Sequence, residues 1–425
     1  MNNEVYSVNK HIKRYLINEY KGSEQKDTII LDDNEKYLLK KPDPTREKNK
    51  KEILSYINNV YSEYIGCNIA RLMGFEVQET KLGEYTTRNR NGEETTKIVC
   101  LCKDVRKKNE KMREFDTISL SSDMPTNVVT FEITEQIILN IQERLNLSEE
   151  TTQEIRDFYY KLFILDAFIG NTDRHNGNIA LLLNENDEFS RISPIYDCGS
   201  SLLPLIDDKE INSCNLQNLA LSINSAIKTN NMKTIRYNDF LINNRNKSID
   251  NALLGVICNI DLNKINEMIN NTNYISDIRK YFYKSILELR YNKILIPALE
   301  KIFQEDNTKT LSVDKITLNN INLYEIYKRN IKLISDLDFF DKHTIICSSD
   351  FQANNITIDV MKISKKYALC IKNNKCIGLL PIRSNHNEIR EAINFFNKIK
   401  FDIINENIQI CDIDSEKLID LDIER

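Results

Sequence analysis

The segment Ile169-Gly170-Asn171-Thr172-Asp173-Arg174-His175-Asn176-Gly177-Asn178 sets an aspartate and an asparagine in a D-x-x-x-x-N spacing, and Pro194-Ile195-Tyr196-Asp197-Cys198-Gly199 supplies a second aspartate. Those residue types suit phosphoryl transfer. One carboxylate orients an attacking hydroxyl and accepts its proton, while an amide oxygen and a second carboxylate hold the ions that bridge nucleotide phosphates. Asp173 is the expected base, and Asn178 and Asp197 are the expected Mg2+ ligands. Mg2+ takes few protein ligands and completes its shell with phosphate and water, which one Asn and one Asp would allow. Glycine is scarce, ten in 425 residues, against roughly 7% in ordinary proteins. Three of the ten, Gly170, Gly177 and Gly199, fall in these two segments. Glycine so placed marks backbone that needs positive φ or close approach.

Taken alone, D-R-H-x-x-N is a polar turn, so the surrounding elements decide its meaning. A helix over 148–169, with Ser148 or Thr151 as N-cap, delivers the chain to Asp173; Ile155, Phe158, Tyr159, Leu162, Phe163, Leu165 and Phe168 give it a wide apolar face. Short strands at 179–183 and 192–196 then form a hairpin with Asn178 at one end and Asp197 at the other. Arg174 can neutralise a neighbouring acidic group. His175 either bonds the nucleotide or braces the loop.

Transfer also needs a lysine on the phosphates and a carboxylate to hold it. The order over 28–103 reads β-β-α-β-β: strands at 28–31 and 36–40 around the polar turn Asp32–Glu35, a helix over 50–73 ended by Gly74, and strands at 76–82 and 96–103. Lys40 ends the second strand, with Lys41 beside it. Strand side chains alternate faces, so only one of the two can enter a cleft, and the expected one is Lys40. Glu63 on the helix is its expected partner. Without the downstream motif both would read as surface charges. A G-x-G-x-x-G pattern is absent; Gly22-Ser23-Glu24-Gln25-Lys26 is the candidate phosphate loop, acting through backbone N–H groups.

These blocks, together with Tyr37–Lys41, Ser62–Leu82, Val99–Asp104, Asp166–Asn178 and Pro194–Ser200, resemble the HipA-like kinases in their shorter CtkA-type branch. The resemblance spans roughly the first 300 residues. It implies an α+β, two-lobed protein-kinase-like fold and an ATP- and Mg2+-dependent serine/threonine protein kinase. It also implies a protein substrate, often autophosphorylation in the nucleotide loop, and often a toxin or effector role held in check by an antitoxin or other regulatory protein. It places Leu101, Cys102 and Lys103 at the hinge that holds adenine; His175 and Tyr196 complete the candidate nucleotide set. Phosphatidylinositol kinases share D-R-H-x-x-N followed by D-x-G, so a lipid or small-molecule kinase is the second reading, and a kinase-fold regulatory module without turnover is the third. Lys40, Glu63, Asp173, Asn178 and Asp197 are all present, which argues against the third.

The expected organisation is a small lobe over 1–106, a large lobe over 107–305, mostly helical beyond 215, and an appended α+β module over 306–425 after the polar lapse at 305–310. In that module 314–336 reads as one or two helices, followed by strands near 343–347, 356–363, 367–371, 376–380 and 408–411, with a helix near 387–399. Net charge is −5, which lacks the overall footprint of direct nucleic-acid binding. Ten cysteines without C-x-x-C or zinc-ligand spacing fit a reducing cytoplasm, with export as an effector left open. Met1–Val5 carries no signal-peptide apolar region, and no run has the roughly 20 apolar residues of a membrane span.

Overall fold

The computed structural model describes residues 6–16, 26–42, 58–88, 91–118 and 129–305, and beyond them six strands between 311 and 381. The loop candidates Gly22–Gln25, the helix near 387–399 and the strand near 408–411 lie outside the described residues. The chain forms two compact units, residues 1–244 with 262–294, and residues 245–261 with 295–425.

The first unit opens with β1 (Ile12–Leu16), β2 (Lys26–Leu31) and β3 (Lys36–Lys40), continues through α1 (Asn59–Leu72), and returns with β4 (Thr80–Arg88) and β5 (Glu94–Lys103). The strands make one antiparallel sheet in the order β1-β2-β3-β5-β4. Strand β1 falls in a polar stretch with no clear alternation, so its sequence gave little sign of it. The β2–β3 turn closes where Asp32–Glu35 predicts it: Asn34 takes φ 65° and its N–H donates to the Leu31 carbonyl at 3.0 Å. Alternation sorts the sheet. Ile29, Leu39, Val99 and Leu101 bury one face with Val8 from the N-terminal segment, while Leu82, Cys100 and Cys102 bury the other against Val60 of α1.

Strand β6 (Lys111–Glu114) and the single turn α2 (Phe115–Ile118) follow. Then α3 (Phe131–Leu145) and α4 (Glu149–Ile169) pack side by side. Both are N-capped: Thr130 Oγ1 accepts from the Ile133 N–H at 3.1 Å, and Ser148 Oγ, one of the two expected caps, accepts from that of Thr151 at 3.1 Å. Helix α4 stops at Gly170 with φ 68°. Strands β7 (Ala180–Leu183) and β8 (Phe189–Ile192) complete a small sheet with β6.

Beyond it run α5 (Asp208–Ile211), α6 (Leu216–Leu221), the hairpin β9 (Asn224–Lys228) and β10 (Thr234–Arg236), α7 (Tyr237–Asn243), α8 (Lys247–Val256), α9 (Leu262–Asn270), α10 (Asp277–Arg290) and α11 (Ile296–Glu305). The β9–β10 hairpin interrupts the expected helical run. Its strands are three to five residues long, too short for a period-2 pattern to show.

Helices α8 and α11 belong to the second unit with a six-stranded sheet. Its strands are β11 (Leu311–Ile316), β12 (Lys332–Ile334), β13 (Thr344–Phe351), β14 (Ile356–Ile363), β15 (Lys366–Lys372) and β16 (Ile377–Pro381), ordered β11-β13-β14-β15-β16-β12. The helical reading of 314–336 is corrected at both ends, where β11 and β12 stand; short runs rich in isoleucine and leucine fit either period.

The fold predicts one sensitive glycine. Glu84 N–H donates to the Tyr6 carbonyl at 2.9 Å, so the N-terminal segment lies across β4 at Gly83, where a Cβ would come within 2.8 Å of a Val8 methyl and 2.9 Å of the Tyr6 carbonyl. Gly83→Ala should cost about 1–3 kcal/mol by overpacking, measured by urea unfolding, and should speed proteolysis before Ile12. An unchanged midpoint would mean that the segment does not hold β4.

Candidate functional site

Five expected residues come from four separate places: Lys40 from the end of β3, Glu63 from the middle of α1, Asp173 and Asn178 from the loop after α4, and Asp197 from the segment after β8. Lys40 Nζ lies 2.9 Å from Glu63 Oε2 and 2.7 Å from Asp197 Oδ1. Glu63 is fully buried, Lys40 nearly so, and Asp197 is partly exposed. A shared ammonium therefore ties the sheet, α1 and the Asp197 segment together. Alternation puts Lys40 on the α1 face of β3 together with Leu38. Lys41 points the other way, pairing with Asp27 at 2.5 Å and lying over the Tyr85 ring.

Helix α1 can approach so closely because Gly66 has no side chain. A Cβ there would stand 2.8 Å from the Cys198 Cβ. Cys67, one turn after Glu63, directs its thiol at the Glu63 carboxylate, and its pKa is raised well above the ordinary thiol range by the neighbouring Cys198 thiol and by burial.

The loop after α4 is organised from within the protein. Asp166 and Arg174 are both buried, with Arg174 Nε 3.1 Å from Asp166 Oδ2. Burial works against both charges; the Asp166 carboxylate lifts the Arg174 pKa above its ordinary value nonetheless. Arg174 Nη1 then donates to the Tyr196 carbonyl at 2.6 Å and to that of Asn178 at 3.2 Å. One guanidinium thus clamps the backbone of one expected metal ligand and the residue before the other. Asn171 adds a second tie: its Nδ2 donates to Asp166 Oδ1 at 3.1 Å, and its Oδ1 accepts from the Asp173 N–H at 3.1 Å. Asp173 itself is solvent-exposed.

Asn178 Nδ2 donates to the Asp173 carbonyl at 2.9 Å, which turns its amide oxygen the other way. Asp197 adopts φ 58°, a conformation that aspartate tolerates better than most residues. An amide oxygen and a partly exposed carboxylate on adjoining segments are the hard-oxygen, low-count set that suits Mg2+ with phosphate and water. Among the described residues no group of three or more His, Cys, Asp or Glu could hold an ion.

The remaining expected residues divide. His175 Nδ1 accepts from the Gly177 N–H at 3.1 Å, and Tyr196 Oη donates to the Gly177 carbonyl at 3.1 Å, so each braces the loop. Burial, with Glu114 and Asp197 nearby, raises the Tyr196 pKa. Leu101 and Cys102 are buried in β5, paired on both edges, with Leu39 and Leu38 on one side and Lys81 and Thr80 on the other. The Lys103 N–H donates to the Glu79 carbonyl and its own carbonyl accepts from Gln78. The main chain of these three residues is thus committed to the protein, and the chain leaves the sheet at Asp104. Lys26 stands opposite Lys40 in register, so the β1–β2 connection emerges at the Lys40 end of the sheet.

Asp166 and Asn171 were not singled out from sequence as site-building residues. The signal for Asp166 was its type: a lone carboxylate in the apolar run Leu162–Ile169 must be paired if buried.

The model of the HipA-like C-terminal domain matches residues 18–261. The serine/threonine-protein kinase CtkA of Helicobacter pylori is 33% identical over 277 residues, which cover 62% of this chain and 78% of that protein. The crystal structure of the H. pylori proinflammatory kinase CtkA superposes with a TM-score of 0.60 at 29% identity, covering 72% of this chain and all of that one. With its α+β, protein-kinase-like fold, the chain belongs to the HipA-like family of serine/threonine kinases.

Proposed function

We propose that this chain transfers the γ-phosphoryl group of Mg2+-bound ATP to a serine or threonine hydroxyl of a protein substrate. The observation that carries the reading is Lys40 held between Glu63 and Asp197 at 2.9 and 2.7 Å. In this reading Lys40 reaches the phosphates while Glu63 fixes its direction. Asn178 and Asp197 would hold the metal, and Asp173 orients the acceptor hydroxyl and takes its proton. Bound Mg2+ would neutralise the charge on the phosphate oxygens. Arg174 contributes by keeping the Asn178 and Tyr196 carbonyls on one donor, so the metal side chains share a frame with Asp173. The adenine edge is placed beyond Lys103, where the main chain leaves the sheet. In this reading the backbone of Gly22–Lys26 would cover the phosphates and the loop would carry the autophosphorylation site; the support is that Lys26, the first residue of β2, pairs in register with Lys40.

Asp173→Ala should reduce phosphoprotein formation by roughly 10²–10⁴, the scale of a positioned base, and leave ATP binding nearly intact. Asp197→Ala should instead abolish the rise in melting temperature on adding Mg2+-ATP. The assay is purified protein with labelled ATP, Mg2+ and host lysate, followed by mass spectrometry for phosphoserine and phosphothreonine. An Asp173→Ala protein that labels its targets at the wild-type rate ends the assignment, and labelled lipid without labelled protein moves it to a lipid kinase.

Lys40→Met should both inactivate and destabilise, because it strands the buried Glu63 carboxylate. Losing one partner of a buried pair costs about 3–5 kcal/mol. Adding Glu63→Gln should recover much of that stability in chemical denaturation and none of the activity. Equal stability of the single and double variants would show that the pair is not coupled.

A further inference from the structure

Arg290, the last residue of α10, is fully buried. A buried guanidinium is costly unless paired, yet among the described residues no carboxylate pairs with it. Its Nη1 donates to the Ile169 carbonyl at 2.7 Å and to that of Phe168 at 3.4 Å, and its Nε donates to the Ala220 carbonyl at 3.3 Å. Phe168 and Ile169 are the last two residues of α4. Carbonyls there lack intrahelical donors and carry the negative end of the helix dipole, so a cation is well placed against them.

The next residue is Gly170 at φ 68°, and a Cβ on it would overlap Cζ and both Nη atoms of Arg290. The guanidinium therefore lies directly against the backbone three residues before Asp173. Tyr237 grips the same stretch one step further on, its phenol donating to the Asn171 carbonyl at 3.1 Å. Burial draws the Arg290 pKa down to about 9, against an opposing effect of Tyr237, so the protein holds this charge at a disadvantage. A well-packed apolar side chain would serve stability alone at least as well.

We propose that Arg290 is a positioning residue for phosphoryl transfer, fixing the junction between α4 and its loop through backbone carbonyls and thereby setting the place of Asp173. This rests on the kinase reading for what Asp173 does, though not for how the loop is held.

The test uses the full-length protein with Arg290→Met, Arg290→Lys, Gly170→Ala and the Arg290→Met/Gly170→Ala double variant. Two measurements are made below the melting temperature of each: ADP production with a serine-rich protein acceptor, and amide hydrogen exchange over 168–178. Arg290→Met should lower kcat roughly 10²-fold, the effect of a displacement of about 1 Å, with KM for ATP changed less than about threefold. Exchange should quicken over 168–178 and stay slow in the middle of α4. Arg290→Lys should restore part of kcat. Gly170→Ala, which displaces the guanidinium from the other side, should give the same signature, and the double variant should be no slower than Arg290→Met. Wild-type kcat and protection in a folded Arg290→Met protein would overturn the proposal, as would additive losses in the double variant. If Arg290→Met does not fold, Arg290→Lys and Gly170→Ala decide by the same criteria. A wild-type protein without turnover would refute the kinase reading, and hydrogen exchange would then decide the role of Arg290 by itself.

Discussion

The buried ion pair between Asp166 and Arg174 is the interaction on which the site depends. Neither charge reaches solvent, and as a source of stability such a pair is weak, because desolvation offsets most of the attraction. Its value lies in direction. Asp166 sits in the last turn of a helix whose residues 162–169 are all buried, so its carboxylate is fixed in place. Arg174 is held by that carboxylate and also donates to the carbonyls of Asn178 and Tyr196 and to Cys198 Sγ. A planar guanidinium with donors in a rigid fork can do this; an ammonium would lack the fork. The helix end, the loop with Asp173 and the segment with Asp197 therefore keep one mutual geometry.

A second charge set closes the site from the small-lobe side. Lys40 is bonded to one carboxylate with no solvent exposure and one with partial exposure. The inner partner sets where the ammonium can be, and the outer one links it to the segment that Arg174 clamps. The two sets join in sequence at Tyr196 and Asp197. A shift of α1 is thereby transmitted to Asp197 through hydrogen bonds, and also through the close contact between Gly66 and Cys198. Gly66 and Cys198 are small, and any larger pair would hold Glu63 away from Lys40.

What the sequence disclosed and what it withheld follow one physical division. The roles proposed for Asp173, Asn178 and Asp197 call for fixed spacing, so these residues stood out, and strand alternation left room for only one of Lys40 and Lys41 on the cleft face. The long helix α4 was legible from its apolar period and its cap. Residues that hold the site through backbone carbonyls carry no such spacing. Arg290 reaches Ile169 across 121 positions, and nothing local in the sequence of α10 indicates that its last residue is buried. In β5, apolar, strand-forming Leu101 and Cys102 were legible as strand, but which backbone groups a central strand commits depends on both neighbours. Strands β1, β9, β10, β11 and β12 were missed because short or polar strands take their partners from tertiary context.

Backbone strain is present at the same place. Gly170, Asp197, Leu202 and Leu203 all adopt positive φ near 60°. For the glycine this costs little and for the aspartate somewhat more, but for leucine the left-handed region is unfavourable by roughly 1–2 kcal/mol per residue. Two successive leucines in it persist only when the surroundings over-determine them, and here they do. Leu202 is fully buried and donates its N–H to the Ile169 carbonyl at 2.9 Å, while Asn58, the residue before α1, donates to the Pro204 and Ile206 carbonyls. The Ile169 carbonyl thus accepts from Arg290 on one side and from the strained turn on the other. The end of α4 is the point where the turn after Asp197, the loop of Asp173 and the buried arginine are all anchored. Strain placed there is stored between two anchors that the fold already holds rigid, so it can orient the segment after Asp197 without displacing Asp197 itself.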